Sequence, residues 1–311
     1  MTGSRLGRTG RGLSLRGGGP VEDARVLRSS LRLLDRHDVP EALAVCDRDV
    51  AANLFVSARL SGPGFGNRSG GGELWGYHDS RGLSSLCWSG ANLVPVQADG
   101  DAVEAFADRA RRQGRNCSSI VGPADAVLAL WRRLEPFWGP AREVRAEQPL
   151  MALDGPPLVA PDPRVRRSRL DELDLVVPAC VAMFTEEVGY SPVAQDGGAL
   201  YHAQVTSLVA GGRSLVRIDD VPGVPGRREV VFKAELGSVT PRAVQVQGVW
   251  VNPRHRGRGV AAPGMAAVSR VVQTEVAPLV TLYVNGFNVR AVRTYERVGF
   301  RRVGTFATVL F

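Results

Sequence analysis

Residues 249 to 261 read VWVNPRHRGRGVA: an apolar strand ends at Pro253, and a run of arginine and glycine opens a long helix. Gly257 and Gly259 carry no Cβ, so an anion can approach the backbone closely. The helix start adds unpaired N–H groups and the positive end of its dipole, and Arg256 and Arg258 bring charge-assisted donors. In physical terms this is a pyrophosphate cradle. The same residues would also serve as a basic turn at the start of a surface helix.

A second chemically equipped stretch, YVNGFNVRAVRTYERVGF, spans residues 283 to 300. Asn288 caps a short helix, and Tyr295, seven residues later, falls on nearly the same helix face. A phenol with a pKa near 10 keeps its proton at neutral pH and can act as a proton donor. Tyr295 could equally be a packed aromatic beside Val292 and Val298.

These stretches need a scaffold, and the surrounding periodicity supplies one. Residues 214 to 218, 229 to 239 and 243 to 251 alternate as successive strands of an antiparallel meander. Met265, Val268, Val272 and Val276 form one stripe on a helix over 260 to 276, followed by a strand at 280 to 284 and a last strand at 303 to 311. Upstream, 170 to 188 and 199 to 208 read as helices, the first with Pro178 as an irregularity.

The N-terminal half has its own α/β pattern. Residues 24 to 34 suggest a strand or a lead into a helix over 39 to 53, with Pro40 in its first turn. Residues 73 to 79 and 83 to 96 form a hairpin, 101 to 113 a helix, 116 to 122 a strand and 124 to 134 a helix. The segment SGPGFGNRSGGG, 61 to 72, reads as a surface loop without a nucleotide-binding fingerprint. Pro156, Pro157, Pro161 and Pro163 crowd the segment 150 to 168, which is expected to be irregular and to separate two domains.

At this point the sequence resembles the GCN5-related N-acetyltransferase (GNAT) family. Arg256, Gly259 and Ala261 match its R/Q-x-x-G-x-G/A motif, and Asn288, Ala291, Tyr295, Gly299 and Phe300 fill its N-x-x-A-x-x-x-Y-x-x-x-GF places. The resemblance covers residues 168 to 311 and implies the GNAT fold, a mixed, mostly antiparallel sheet flanked by helices. It implies acetyl-CoA as cosubstrate, no metal, and the backbone of Val249, Trp250 and Val251 beside the pantetheine arm. Arg256, Gly257, Arg258, Gly259, Val260 and Ala261 would hold the pyrophosphate, with Asn288 and Ala291 also on the coenzyme. Tyr295 would face the thioester sulfur as general acid.

One departure concerns the base that must neutralise an attacking amine. The family often places a Glu on the strand that here reads AVQVQGVWV, where Gln245 and Gln247 cannot take a proton at neutral pH. Glu235 on the preceding strand is the nearest alternative, and Glu229, Glu186 and Glu187 stay open.

The N-terminal half resembles a degenerate acetyltransferase-like domain that precedes the catalytic one in actinobacterial two-domain proteins. It lacks the R/Q-x-x-G-x-G/A run, and Ser119 to Pro123 offers a single glycine. Scaffolding, closing one side of the acceptor cleft or positioning a partner is its expected job. The implied organisation is a disordered basic tail (1–23), a degenerate acetyltransferase-like α/β domain (24–149), a proline-rich linker (150–167) and a GNAT domain (168–311).

Composition narrows the function classes. The net charge of +8 takes four units from Arg5, Arg8, Arg11 and Arg16 in the tail, and Lys233 is the sole lysine among 39 basic residues. That uniform arginine bias does not point to nucleic-acid binding. Cys46, Cys87, Cys117 and Cys180 are too dispersed for a disulfide framework or zinc site, which fits a reducing cytoplasm. No run of about 18 apolar residues could span a bilayer. The expected activity is transfer of acetyl from acetyl-CoA to a primary amine of a small molecule or protein. The alternatives are a non-catalytic acetyl-CoA-binding regulatory module and a transferase using a different acyl-CoA. A homodimer is the base-rate expectation.

Overall fold

The computed structural model describes residues 30–62, 65, 71–194 and 196–311; the expected tail and most of the glycine-rich loop lie outside them. The first half runs β1 (Leu31–Leu34), α1 (Val39–Cys46), α2 (Leu54–Leu60), β2 (Gly72–Asp79), β3 (Gly82–Gly90), β4 (Asn92–Val96), α3 (Gly100–Gln113), β5 (Ser119–Pro123), α4 (Ala124–Trp138) and β6 (Glu143–Leu153). The second half repeats that order as β7 (Arg166–Arg167), α5 (Leu173–Val188), α6 (Ala199–Ala210), β8 (Ser214–Asp220), β9 (Arg228–Val239), β10 (Ala243–Val251), α7 (Ala261–Glu275), β11 (Leu279–Tyr283), α8 (Val289–Val298) and β12 (Arg301–Leu310).

All twelve strands form one sheet in the order β1-β2-β3-β4-β5-β12-β6-β11-β10-β9-β8-β7. The two halves therefore exchange their last strands. β12 lies against β5 of the first half, β6 lies against β11 of the second, and β6 and β12 pair antiparallel at the centre. Ala307 and Val309 of β12 sit in the first half's core with Trp131, Leu130 and Ile120, while Met151 and Leu153 of β6 sit in the second half's core with Val280 and Leu282. Each such buried side chain contributes about 1.5–3 kcal/mol.

The meander, α7, α8 and the two motif stretches lie where their periodicity puts them, within a few residues at each end. Four expectations change. The helix expected over 39–53 ends at Cys46 and a second, α2, starts only at Leu54; between them the Asn53 side chain turns back to bond the Cys46 carbonyl at 3.0 Å. The strand expected over 83–96 breaks between Gly90 and Asn92, the strand expected over 116–122 is β5 at 119–123, and α4 continues past 134 to Trp138.

A fifth expectation, that the segment 150–168 is irregular, changes as well. Its first four residues are the end of β6, and irregular backbone begins only after Leu153. β6 was not foreseen, because EVRAEQPLMAL opens with alternating charges and contains Pro149. That proline sits between two register shifts in the pairing with β12, and its carbonyl accepts from the Val284 N–H at 3.2 Å.

The internal repeat also shows why the first half lacks a cradle. The counterpart of the β10–α7 turn is the β4–α3 turn, residues 97–99, rather than residues 119–123. There Asp99 stands at the helix N-cap and Asp101 in its first turn. Two acids at that helix start repel phosphate.

Candidate coenzyme and acceptor cleft

β10 and β11 run parallel and pair only through Ala243↔Leu279, Val244↔Val280 and Gln245↔Thr281. Beyond that point they diverge, and the gap is a cleft of about 1090 Å³ lined on one side by Val246 to Val251 and on the other by Leu282 to Asn285. A parallel pair that opens in this way leaves backbone donors and acceptors on facing edges for an extended ligand to use.

The cradle closes one end. Gly257 and Gly259 both have φ +74°, a left-handed conformation that favours glycine, and the space where each Cβ would stand is empty. No side chain caps the start of α7, so the amides of its first turn point outward unsatisfied. Arg256 lies beside them, its Nε donating to the Val251 carbonyl at 2.9 Å and its Nη2 to Glu186 Oε2 at 2.6 Å. Glu186 also accepts from Trp250 Nε1 at 3.2 Å, so this carboxylate holds Arg256 against the cleft wall. On the other flank the Asn288 side chain accepts the Ala291 N–H at 3.2 Å and starts α8 as expected.

Tyr295 is 8 % exposed, packs edge-on to Phe300 and lines the cleft. Among the described residues its hydroxyl has no hydrogen-bond partner. Burial first, and the carboxylate of Glu187 second, hold its pKa well above that of a free phenol, so the hydroxyl keeps its proton at neutral pH.

Of the residues expected at the site, Val249, Trp250, Val251, Arg256, Gly257, Gly259, Val260, Ala261, Asn288, Ala291 and Tyr295 line this one cleft. Arg258 does not; its side chain is exposed outside the lining. Glu235 is also absent from the lining. It is buried on β9, where its Oε1 accepts from Lys233 Nζ at 2.6 Å and from Cys180 Sγ at 3.4 Å.

Glu186 and Glu187 both line the cleft, and of the two only Glu186 is ion-paired among the described residues. Glu187 sits at the C-terminal end of α5 with its side chain open to solvent, yet the walls around the carboxyl push its pKa up by desolvation. Arg145 and Lys233 oppose that rise, and Glu235 adds to it.

The exchanged strand β6 completes this end of the cleft. Gln148 is buried and lines it; the Thr308 hydroxyl donates to Gln148 Oε1 at 2.6 Å, and Gln148 Nε2 donates to Asn285 Oδ1 at 2.9 Å. Arg145 donates to the Glu187 carbonyl at 2.9 Å and is paired with Glu143, which ties the end of α5 to β6. Sequence reasoning missed Gln148 and Arg145 because nothing in their spacing signals a strand that inserts into the other half.

Comparison with protein families bears on this geometry directly. Residues 188–300 match the Acetyltransferase (GNAT) family, and residues 72–176 match a family described as Domain of unknown function (DUF4081). The C-terminal half carries a GNAT domain. No curated protein matches the chain. Among solved structures, a GCN5-related N-acetyltransferase from Sphaerobacter thermophilus is 17 % identical, with 90 % of this chain and 95 % of that one covered at a TM-score of 0.55. A tandem GNAT protein from the clavulanic acid biosynthesis pathway is 14 % identical, with 90 % and 98 % covered at 0.51, and a Drosophila protein is 16 % identical, with 91 % and 99 % covered at 0.60. These likenesses run through both halves, so the GNAT architecture extends over the exchanged sheet as a tandem arrangement. The GNAT-domain match over 188–300 supports acyl transfer in general, and no described helix is long and apolar enough to cross a membrane.

Proposed function

We propose that this protein transfers the acetyl group of acetyl-CoA to a primary amine, with the β10–β11 cleft as the active site. The observation that carries the reading is the convergence of an uncapped helix start, two left-handed glycines and Arg256 on the same cleft as a buried tyrosine hydroxyl and a free carboxylate. In this reading, the turn 256–261 binds the pyrophosphate and Arg256 exchanges Glu186 for it. Val249 to Val251 pair with the pantetheine arm.

Glu187 takes a proton from the incoming ammonium so that the amine nitrogen can attack the thioester carbonyl carbon. As the C–S bond breaks, Tyr295 gives its proton to sulfur and recovers one from the nitrogen, so amide and thiol leave neutral. The two residues are coupled. Once Glu187 is protonated its negative charge no longer raises the Tyr295 pKa, and the phenol becomes a better donor when the thiolate forms. The two halves form the scaffold, a cytoplasmic setting fits the four free cysteines, and the acceptor reaches the cleft between α5 and β6.

Calorimetric titration with acetyl-CoA tests the reading. Wild-type protein is expected to bind in the micromolar range, and Gly259→Glu to bind about thirtyfold more weakly, because a side chain is strained at φ +74° and its charge repels phosphate. Equal binding by both proteins would place the coenzyme elsewhere.

Glu187 gives a pH signature. Its carboxyl must be ionised to accept a proton, so activity should fall as pH drops through its raised pKa, and Glu187→Gln should abolish that acidic limb along with most turnover. The stability effect has the opposite sign. The folded chain holds this proton more tightly than the unfolded chain, so stability is lost as pH rises through the folded pKa, and Glu187→Gln should melt slightly higher than wild type at neutral pH. A variant that keeps the acidic limb would assign the base to another group.

A further inference from the structure

The sole lysine of the chain is fully buried on β9, at 0 % exposure. An ammonium in such a place is costly to desolvate and persists only when fully engaged. Lys233 Nζ donates to Glu235 Oε1 at 2.6 Å and to the Gly248 carbonyl at 3.0 Å, and Cys180 Sγ donates to the same Glu235 oxygen at 3.4 Å. In other proteins, replacing a buried ion pair by apolar residues of similar volume is often neutral or stabilising, so the pair is not explained by packing alone.

The reason lies in what Gly248 does. Between Gln247↔Glu235 and Trp250↔Lys233 the β10–β9 register slips, leaving Gly248 and Val249 as a bulge without cross-strand partners. Gly248 has φ +57°, and a Cβ there would stand 3.1 Å from Glu235 Oε2 and 3.2 Å from Lys233 Nζ. Its carbonyl turns inward to the lysine. In a trans peptide the carbonyl and the following N–H point in opposite directions, so fixing the Gly248 oxygen on Lys233 turns the Val249 N–H to the side opposite the lysine, and Val249 itself lines the cleft where β10 and β11 diverge.

We infer that Lys233 is a positioning residue: anchored by Glu235, it locks the β10 bulge so that the Val249 amide meets the thioester carbonyl oxygen and stabilises the charge that develops there. This rests on the acetyl-CoA reading of the cleft. It also gives Glu235 a role that its 2.6 Å contact with Lys233 Nζ supports, as the anchor of that lysine. A fixed backbone donor aimed at a developing oxyanion is among the stronger catalytic contributions available to a protein.

The test compares full-length wild type with K233M/E235M, which removes both charges and the donor, and K233Q/E235Q, which removes the charges and keeps a donor for the Gly248 carbonyl. Each is titrated with acetyl-CoA and with CoA, and its melting temperature is recorded. Expected are near-wild-type melting of both variants, a roughly tenfold loss of acetyl-CoA affinity in K233M/E235M with CoA affinity changed much less, and recovery of most of that loss in K233Q/E235Q. Two equally folded variants that bind both ligands as wild type does would overturn the assignment. So would losses that simply track melting temperature, and so would a K233M/E235M that does not fold while K233Q/E235Q folds and shows no preference between the ligands. Wild type that binds neither ligand would remove the coenzyme reading itself, a result distinct from any difference between variants.

Discussion

Tyr295→Phe is expected to lower kcat by about a hundredfold or more while leaving acetyl-CoA affinity within about twofold of wild type. The substitution deletes one hydroxyl and nothing else. The ring still packs edge-on to Phe300 in the core beside Val298, so fold and cleft shape are retained. The hydroxyl has no protein partner to strand, and its proton is held firmly by burial and by the nearby Glu187 carboxylate. What is lost is the donor to the departing sulfur, a contribution made only as the C–S bond breaks, and such a loss falls on kcat rather than on ground-state binding. Steady-state kinetics beside calorimetry separates the two. A variant with unchanged kcat would reduce Tyr295 to a core aromatic.

The second large effect concerns the chain's division. Residues 168–311 expressed alone, the span that the sequence motifs mark out, are expected not to fold. β11 would lose β6 and expose its edge, and β12 would lose β5 and β6 together. The core would also lose Met151 and Leu153. At about 1.5–3 kcal/mol for each buried side chain, with an entire strand's hydrogen bonds added, the deficit is comparable with the 5–15 kcal/mol that holds a typical domain together. Co-expression of residues 30–160 with 161–311 should restore a folded, acetyl-CoA-binding complex, because each fragment then finds its exchanged strand. Circular dichroism melting of the fragment and of the pair decides the matter. A cooperative melt for 168–311 alone would mean that the exchange is not structural.

These two cases mark what a sequence makes legible. Tyr295, Asn288, Gly257 and Gly259 were readable because their chemistry is local: a cap, a left-handed turn and a helix face are set by neighbours a few residues away. The meander was readable for the same reason, since Val244 and Val246, and beyond the bulge Val249 and Val251, each keep the two-residue period of a strand. The choice of base was not readable in this way. Glu187 and Glu235 are both acids near the site in sequence, and what separates them is tertiary: one lines the cleft, and the other is bound to a buried lysine. β6 was least visible. Its charged first half and Pro149 obscure a strand whose pairing comes from β11 and β12, more than 120 residues away. Gln148 and Arg145 became site residues only through that pairing.

The measurement that bears most directly on the account is a two-product assay: full-length protein with acetyl-CoA and a panel of primary amines, small molecules and peptides, in which free thiol and acetylated amine are quantified together across pH. The account predicts one thiol released for each acetylated amine on at least one acceptor, with rates falling at acid pH in wild type and nearly abolished in Glu187→Gln and Tyr295→Phe. Tight acetyl-CoA binding with neither product formed from any acceptor at any pH would contradict it and leave the cleft as a coenzyme-binding site without transfer chemistry.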